Sequence, residues 1–167
     1  MKPVHLARRF VRALWPGPPR AADVAWVESV LTPAELSLWR RLPNHDRRYS
    51  IRVARHVQRS LAGTEDDDHR WPAVALLHDV GKLDAGLGVA GRTLATVMGV
   101  VRPRTRQSSG RFGRYLRHDE IGEAMIRTAE GREEAAAWAA VHHHRERWAS
   151  SGVPRPVAEA LAAADDA

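Results

Sequence analysis

Val4, Ala7, Phe10, Val11 and Leu14 recur at spacings of three and four, which predicts an amphipathic helix over 3–14 that stops at "WPGPPR". Its other face carries Arg8, Arg9 and Arg12. A basic amphipathic helix can lie on an acidic membrane, but packing on its own domain is the commoner use. In "TPAELSLWRRLP", Thr32 as N-cap, Pro33 in the first turn and Glu35 three residues on form a capping box, and Pro43 closes the helix. A longer helix is predicted over 46–62, with Val53, Val57 and Leu61 on one stripe and Gly63 as its stop. Along one edge of it, His45, Tyr49, Arg52 and His56 fall at i, i+4, i+7 and i+11.

"WPAVALLHDVGK", residues 71–82, is apolar nearly all round, the pattern of a central, buried helix. "LDAGLGVAG" then reads as a glycine-rich connection, without the order of a phosphate-binding loop. A helix follows over 89–101 and ends before Pro103, and "RPRTRQSSGRFGRYLR" reads as a mobile basic loop. Helices over 119–130, 133–144 and 154–164 complete the chain, with "SSGVP" as the last break. No strand pattern competes and no repeat is visible. The expected fold is all-α, a bundle of about six to eight short helices.

With 167 residues, 44% of them hydrophobic, the chain is long enough for a real core. The expected organisation is an N-terminal helical extension, residues 1–44, packed on a domain spanning 45–167. There is no cysteine, so disulfides, thiolate metal sites and cysteine nucleophiles are excluded, and any metal must be held by His, Asp or Glu. No apolar run approaches the roughly 20 residues that span a bilayer, and the N-terminus lacks the apolar core of a secretory signal, so a cytoplasmic address is expected. The net charge of +6 rests on 24 arginines against two lysines, Lys2 and Lys82. A general arginine bias makes basicity a weak pointer to nucleic acid, and neither nucleic acid nor a membrane surface is an expected partner. Where arginine is the default cation, the lone internal lysine marks a place that suits a compact ammonium; a surface charge at a helix end is the other reading.

The chemistry concentrates in "ALLHDVGKLDAG". An adjacent His78-Asp79 pair in an apolar helix is costly unless something pairs with both, and a metal ion does that. His118, the run His142, His143, His144 and the terminal Asp165-Asp166 pair add hard and borderline ligands of the kind that binds Zn, Mn, Fe or Mg. From Ala85 through His118 there are seven arginines and no acid, a segment suited to holding phosphate groups; a solvated loop without a ligand is the alternative.

"LLHDVGK" resembles the His-Asp-x-Gly-Lys signature of the HD domain superfamily of metal-dependent phosphohydrolases, at His78, Asp79, Gly81 and Lys82, and the likeness runs from about residue 45 to the C-terminus. The resemblance implies a bundle of short helices around a central His-Asp metal site. It also implies that the doublet ligates the metal and that a distant aspartate, Asp165 in "AAADDA", completes the site. "HDEIG" and "HHHRERWASSGVP" resemble the further histidine motifs of the HD-GYP branch, the cyclic-dinucleotide phosphodiesterases, and so add His118, His142 and His143 as ligands. The second motif departs from that branch: Ala149-Ser150 replaces Asp-Gly, and Val153 stands where Tyr is expected. The family's first ligand, a histidine four residues before a Val-Ala pair, is replaced by Tyr49 in "YSIRVA". A neutral phenol is a poor ligand at pH 7. His45, one turn earlier, is the expected substitute, and His56 is less well placed.

The function so implied is hydrolysis of a phosphomonoester or phosphodiester, such as a nucleotide, by water activated on one or two divalent ions (Mn, Fe, Mg or Zn). Asp79 and Lys82 are the expected catalytic residues, and Arg102, Arg104, Arg106, Arg111 and Arg114 the expected contacts to a small phosphorylated substrate. The alternative is a degenerate, non-catalytic domain of the same fold that binds a ligand or regulates a partner.

Overall fold

The computed structural model describes residues 17–167. The helix expected over 3–14 lies outside them. The elements run α1 (Ala21–Val30), α2 (Pro33–Arg40), α3 (Asn44–Leu61), α4 (Arg70–Leu77), α5 (Lys82–Ala85), α6 (Val89–Val101), a 3-10 turn (Pro103–Gln107), α7 (Arg111–Leu116), α8 (His118–Thr128), α9 (Glu133–Val141), a second 3-10 turn (Arg145–Ser151) and α10 (Arg155–Asp166). There is no strand among the described residues, so the fold is all-α.

The capping box forms as its sequence requires: Glu35 N–H donates to Thr32 Oγ1, and Thr32 N–H donates to the Glu35 carboxylate. Glu35 does more than cap. It is fully buried, and its carboxylate also accepts from the backbone N–H and the guanidinium of Arg132, which ties α2 to the start of α9.

At the centre lies α4, whose residues from Trp71 to Leu77 are all buried. It packs on α3 through the Val53, Val57 and Leu61 stripe and on α9, while α10 lies along α3 and α8 along α9. Truncating one of these fully buried leucines, Leu77, should cost about 2–5 kcal/mol.

The helix expected over 71–82 stops sooner. At Leu77 the chain leaves α-geometry: the N–H groups of Val80, Lys82 and Leu83 each bond the carbonyl three residues back, and regular helix resumes at Lys82. This tight turn swings the His78-Asp79 pair off the end of α4.

The segment expected to be a mobile loop, 102–117, is a 3-10 turn followed by α7. Its arginines pin it: Arg111 donates to the carbonyls of Ala85 and Gly86, Arg114 pairs with Asp84 at 3.0 Å, and Arg117 donates to Arg106 and Ser108. A small satellite core of Ala85, Leu87 and Ala95 with Phe112 and Tyr115 lies beneath. Beside it, Arg92 on α6 grips Asp46 on α3 with two parallel bonds of 2.6 and 2.7 Å.

Candidate metal centre

His78 and Asp79 leave the C-terminal end of α4, His142 and His143 that of α9, and Asp165 stands in the last turn of α10. The three ends converge. Each carries the partial negative charge of a helix C-terminus, which favours a cation between them. His118, at the first position of α8, faces the same point.

The imidazoles are aimed by one device used three times. Nδ1 of His78 bonds the carbonyl of Ala75, Nδ1 of His118 that of Tyr115, and Nδ1 of His142 that of Ala139, all at 2.8 Å and all three residues back. A carbonyl only accepts, so each Nδ1 carries a hydrogen and each ring turns its Nε2 inward. Those nitrogens meet carboxylate oxygens: His78 Nε2 lies 3.4 Å from Asp79 Oδ2 and 3.3 Å from Asp165 Oδ1, while Asp79 Oδ1 lies 3.4 Å from His118 Nε2 and 3.7 Å from His142 Nε2.

Buried lone pairs facing one another are unfavourable unless a proton or a cation joins them. His78 Nε2, His142 Nε2 and Asp79 Oδ1 are buried and lack a hydrogen-bond partner. Asp79, His118, His142 and His143 bring one donor atom each within 4.8 Å of one another. Nitrogen and carboxylate donors so placed fit a divalent ion of the borderline or hard kind. A cavity lined by His78, His142 and Asp165 with Val53, Ala75, Trp138, Leu161 and Ala162 adjoins them.

The charge balance agrees. Burial works against ionising Asp79, but the Lys82 ammonium, which donates to its Oδ2, and His78 outweigh it and hold the carboxyl well below the usual range. Burial likewise opposes the charge on Asp165, and His78 and the Tyr49 hydroxyl keep it ionised. Burial and the neighbouring His142 and His118 push His143 down to about 3, leaving it neutral and able to ligate.

Two glycines make this approach possible. Gly81, two residues after Asp79, packs against the backbone of His118 and Gly122, and a Cβ on Gly122 would in turn meet the Gly81 nitrogen at 3.3 Å. The glycines of "HDVG" and "HDEIG" thus face each other, and the first turn of α8 settles directly on the turn after α4.

Six of the seven predicted ligands are therefore together: His78, Asp79, His118, His142, His143 and Asp165. His45 has its Nε2 3.2 Å from Asp46, buried and without a hydrogen-bond partner. Tyr49 adjoins the centre, its ring 6.3 Å from that of His78 and its hydroxyl on the carboxylate and carbonyl of Asp165. Of the predicted substrate arginines, Arg106 holds Asp119 at 2.8 Å beside His118, Arg111 and Arg114 hold α7, and Arg102 and Arg104 are exposed.

Sequence reasoning missed Tyr115, whose carbonyl aims His118 and whose ring stacks on it at 5.7 Å, and the Asp119–His144 contact of 3.1 Å. Neither has a signal in spacing. A family model for the HD domain matches residues 50–166, well over half of the chain. No match was found among curated proteins or among solved structures.

Proposed function

The chain belongs to the HD domain family, and on that premise we propose that it is a hydrolase that cleaves a phosphomonoester or phosphodiester of a small phosphorylated substrate, a nucleotide being the form that best suits so basic a chain. The observation that carries the reading is the convergence of three imidazole Nε2 atoms, each ring fixed by its own backbone carbonyl, on the buried carboxylate of Asp79.

His78, Asp79, His118, His142, His143 and Asp165 would hold the metal, as one ion or two. Such an ion lowers the pKa of a bound water and offsets charge on a phosphoryl oxygen. The chain supplies the rest. Lys82, 17% exposed and anchored to Asp79, puts a positive charge at the edge of the centre, where it offsets negative charge gathering on the substrate in the transition state. Arg106, in the first 3-10 turn and paired with Asp119 of α8's first turn, would hold the remaining anionic groups together with the exposed Arg102 and Arg104; Arg111 and Arg114 serve the fold before they serve a substrate. Among the described residues no helix is long and apolar enough to cross a membrane, and a chain without cysteine suits a reducing, cytoplasmic setting.

A second reading, a ligand-binding domain without turnover, is favoured by Tyr49, which occupies the Asp165 carboxylate with a hydroxyl. Metal analysis of the purified protein followed by a phosphatase and phosphodiesterase screen with Mn, Fe, Mg and Zn separates the two. The hydrolase reading expects bound metal and turnover that Asp79→Ala abolishes. Bound metal with no turnover on any phosphoester sinks it in favour of the second.

A further inference from the structure

Helix α6 turns an uncharged face outward. Leu94 and Val97 are 51% exposed, Val101 68% and Val100 77%. Positions 94, 97 and 101 follow one another at helical spacing, with Val100 beside them. Its two threonines, Thr93 and Thr96, donate their hydroxyl hydrogens to the carbonyls of Val89 and Arg92 one turn back, so neither donor depends on water. The one charged residue of the helix, Arg92, grips Asp46. Ala95 in the satellite core and Gly99 against Leu116 fix the inward side, so the fold itself holds this face out. An exposed apolar patch of this kind marks a contact surface.

We propose that this face rests on an anionic lipid surface. Charge is the first argument. Arg102 and Arg104, both exposed, directly follow the helix, and the sequence has no acid between Asp84 and Asp119. Asp84 is itself paired with Arg114. An apolar helix face that runs straight into exposed cations matches an anionic bilayer: the valines and the leucine enter the acyl boundary while the guanidinium groups meet headgroup phosphates and carboxylates. Arg102 and Arg104, counted above toward a phosphorylated substrate, take the same chemistry from the headgroups. Area is the second argument. Thirteen helical residues are about 20 Å long and about 10 Å across, so the face covers on the order of 200 Å². Each partner of a stable protein complex buries about 800 Å². A bilayer needs no matched partner surface of that size; it closes over whatever apolar side chains are offered. Basicity spread along the chain gives no reason to expect a membrane, whereas its coincidence with the α6 face does.

The chain has no cysteine, so a single introduced one can carry a polarity-sensitive fluorophore. Protein labelled at Val100→Cys, or at Ser60→Cys on the exposed end of α3 as the control, is mixed with vesicles of phosphatidylcholine alone or of a two-to-one mixture with phosphatidylserine. Sedimentation of the unlabelled chain with the same vesicles is measured beside it. No metal is added, so the outcome does not depend on turnover. The expected result is sedimentation with the anionic vesicles only and a blue shift at position 100 but not at position 60. Val97→Asp with Val100→Asp, and separately Arg102→Gln with Arg104→Gln, should each weaken binding about tenfold, at an unchanged melting temperature. Absence of sedimentation with the anionic vesicles overturns the proposal. So does binding that survives the paired valine substitutions, which would leave charge alone as its cause. A dimer in analytical ultracentrifugation that the same valine substitutions disrupt, without vesicle binding, would make a second copy the occupant and also overturn it.

Discussion

Gly81 and His118 approach so closely that a Cβ built on Gly81 would stand 1.9 Å from the His118 carbonyl oxygen, inside any van der Waals contact. The glycine of one motif thus sets how near the histidine of another can come. Gly81→Ala must push the start of α8 outward and carry His118 away from Asp79. The expected outcome is a melting temperature lowered by several degrees, corresponding to the roughly 1–3 kcal/mol of an overpacked contact, together with loss of metal affinity. Calorimetry and metal analysis check both, and an unchanged metal content would mean that His118 is no ligand.

His78 gives the pH dependence of the metal-free protein. Burial disfavours its charge, but the Asp79 and Asp165 carboxylates outweigh that and raise its pKa to about 10 from 6.5. A raised pKa stabilises the fold fully below pH 6.5, and that contribution is lost as pH climbs toward 10. Metal must displace this proton. Metal-free protein is therefore expected to melt at lower temperature at pH 9.5 than at pH 7, and metal binding at pH 7 to release a proton. Titration calorimetry in buffers of different ionisation enthalpy reads the proton directly; no buffer dependence would remove His78 from the ligand set.

Tyr49 and His45 divide the question of the family's first ligand. Tyr49→Phe deletes a hydrogen bond to an ionised carboxylate, worth about 1.5–3 kcal/mol, and should lower the melting temperature without emptying the centre. Tyr49→His places an imidazole beside Asp165 and His78 and should raise metal retained after dialysis. His45→Ala should leave metal content unchanged, because its Nε2 faces Asp46. Loss of metal from His45→Ala alone would show the resting arrangement of α3 to be different when metal is bound.

Lys82→Met is expected to keep the metal, since the ion itself then balances Asp79, and to cut turnover about a hundredfold, the scale of losing one charge that stabilises a transition state. Without metal the same variant leaves Asp79 with one cation fewer and should melt earlier than the wild type. Equal rates on every hydrolysed substrate would confine Lys82 to a structural role.

Much of this was legible in the sequence because it is local. The Thr32–Glu35 box, the Val53, Val57, Leu61 stripe and the buried run up to Leu77 each declare themselves within a few residues. The histidines and aspartates of the candidate centre stand in short motifs that spacing makes visible. What could not be found was either weakly patterned or remote. Helix α1 went unassigned, for Arg20 offers no side-chain cap and only Val27 and Val30 of "AADVAWVESV" are buried, too few to mark a stripe. Helix α7 hides in a run of arginine and glycine, and four of the arginines that suggested a phosphate-binding loop, Arg106, Arg111, Arg114 and Arg117, bond carbonyls and acids of the chain itself. The Tyr49 hydroxyl and Asp165 are 116 residues apart, and no spacing rule joins them.

The backbone ties of His78, His118 and His142 have an evolutionary consequence. Where a ligating histidine is oriented by a neighbouring side chain, one substitution in that neighbour can flip the ring. Here the orienting partner is a main-chain carbonyl, which exists whatever residue bears it, so substituting Ala75, Tyr115 or Ala139 leaves the acceptor in place. Drift around the centre can alter its rim, while the choice of nitrogen that faces inward changes only when a helix turn itself is lost.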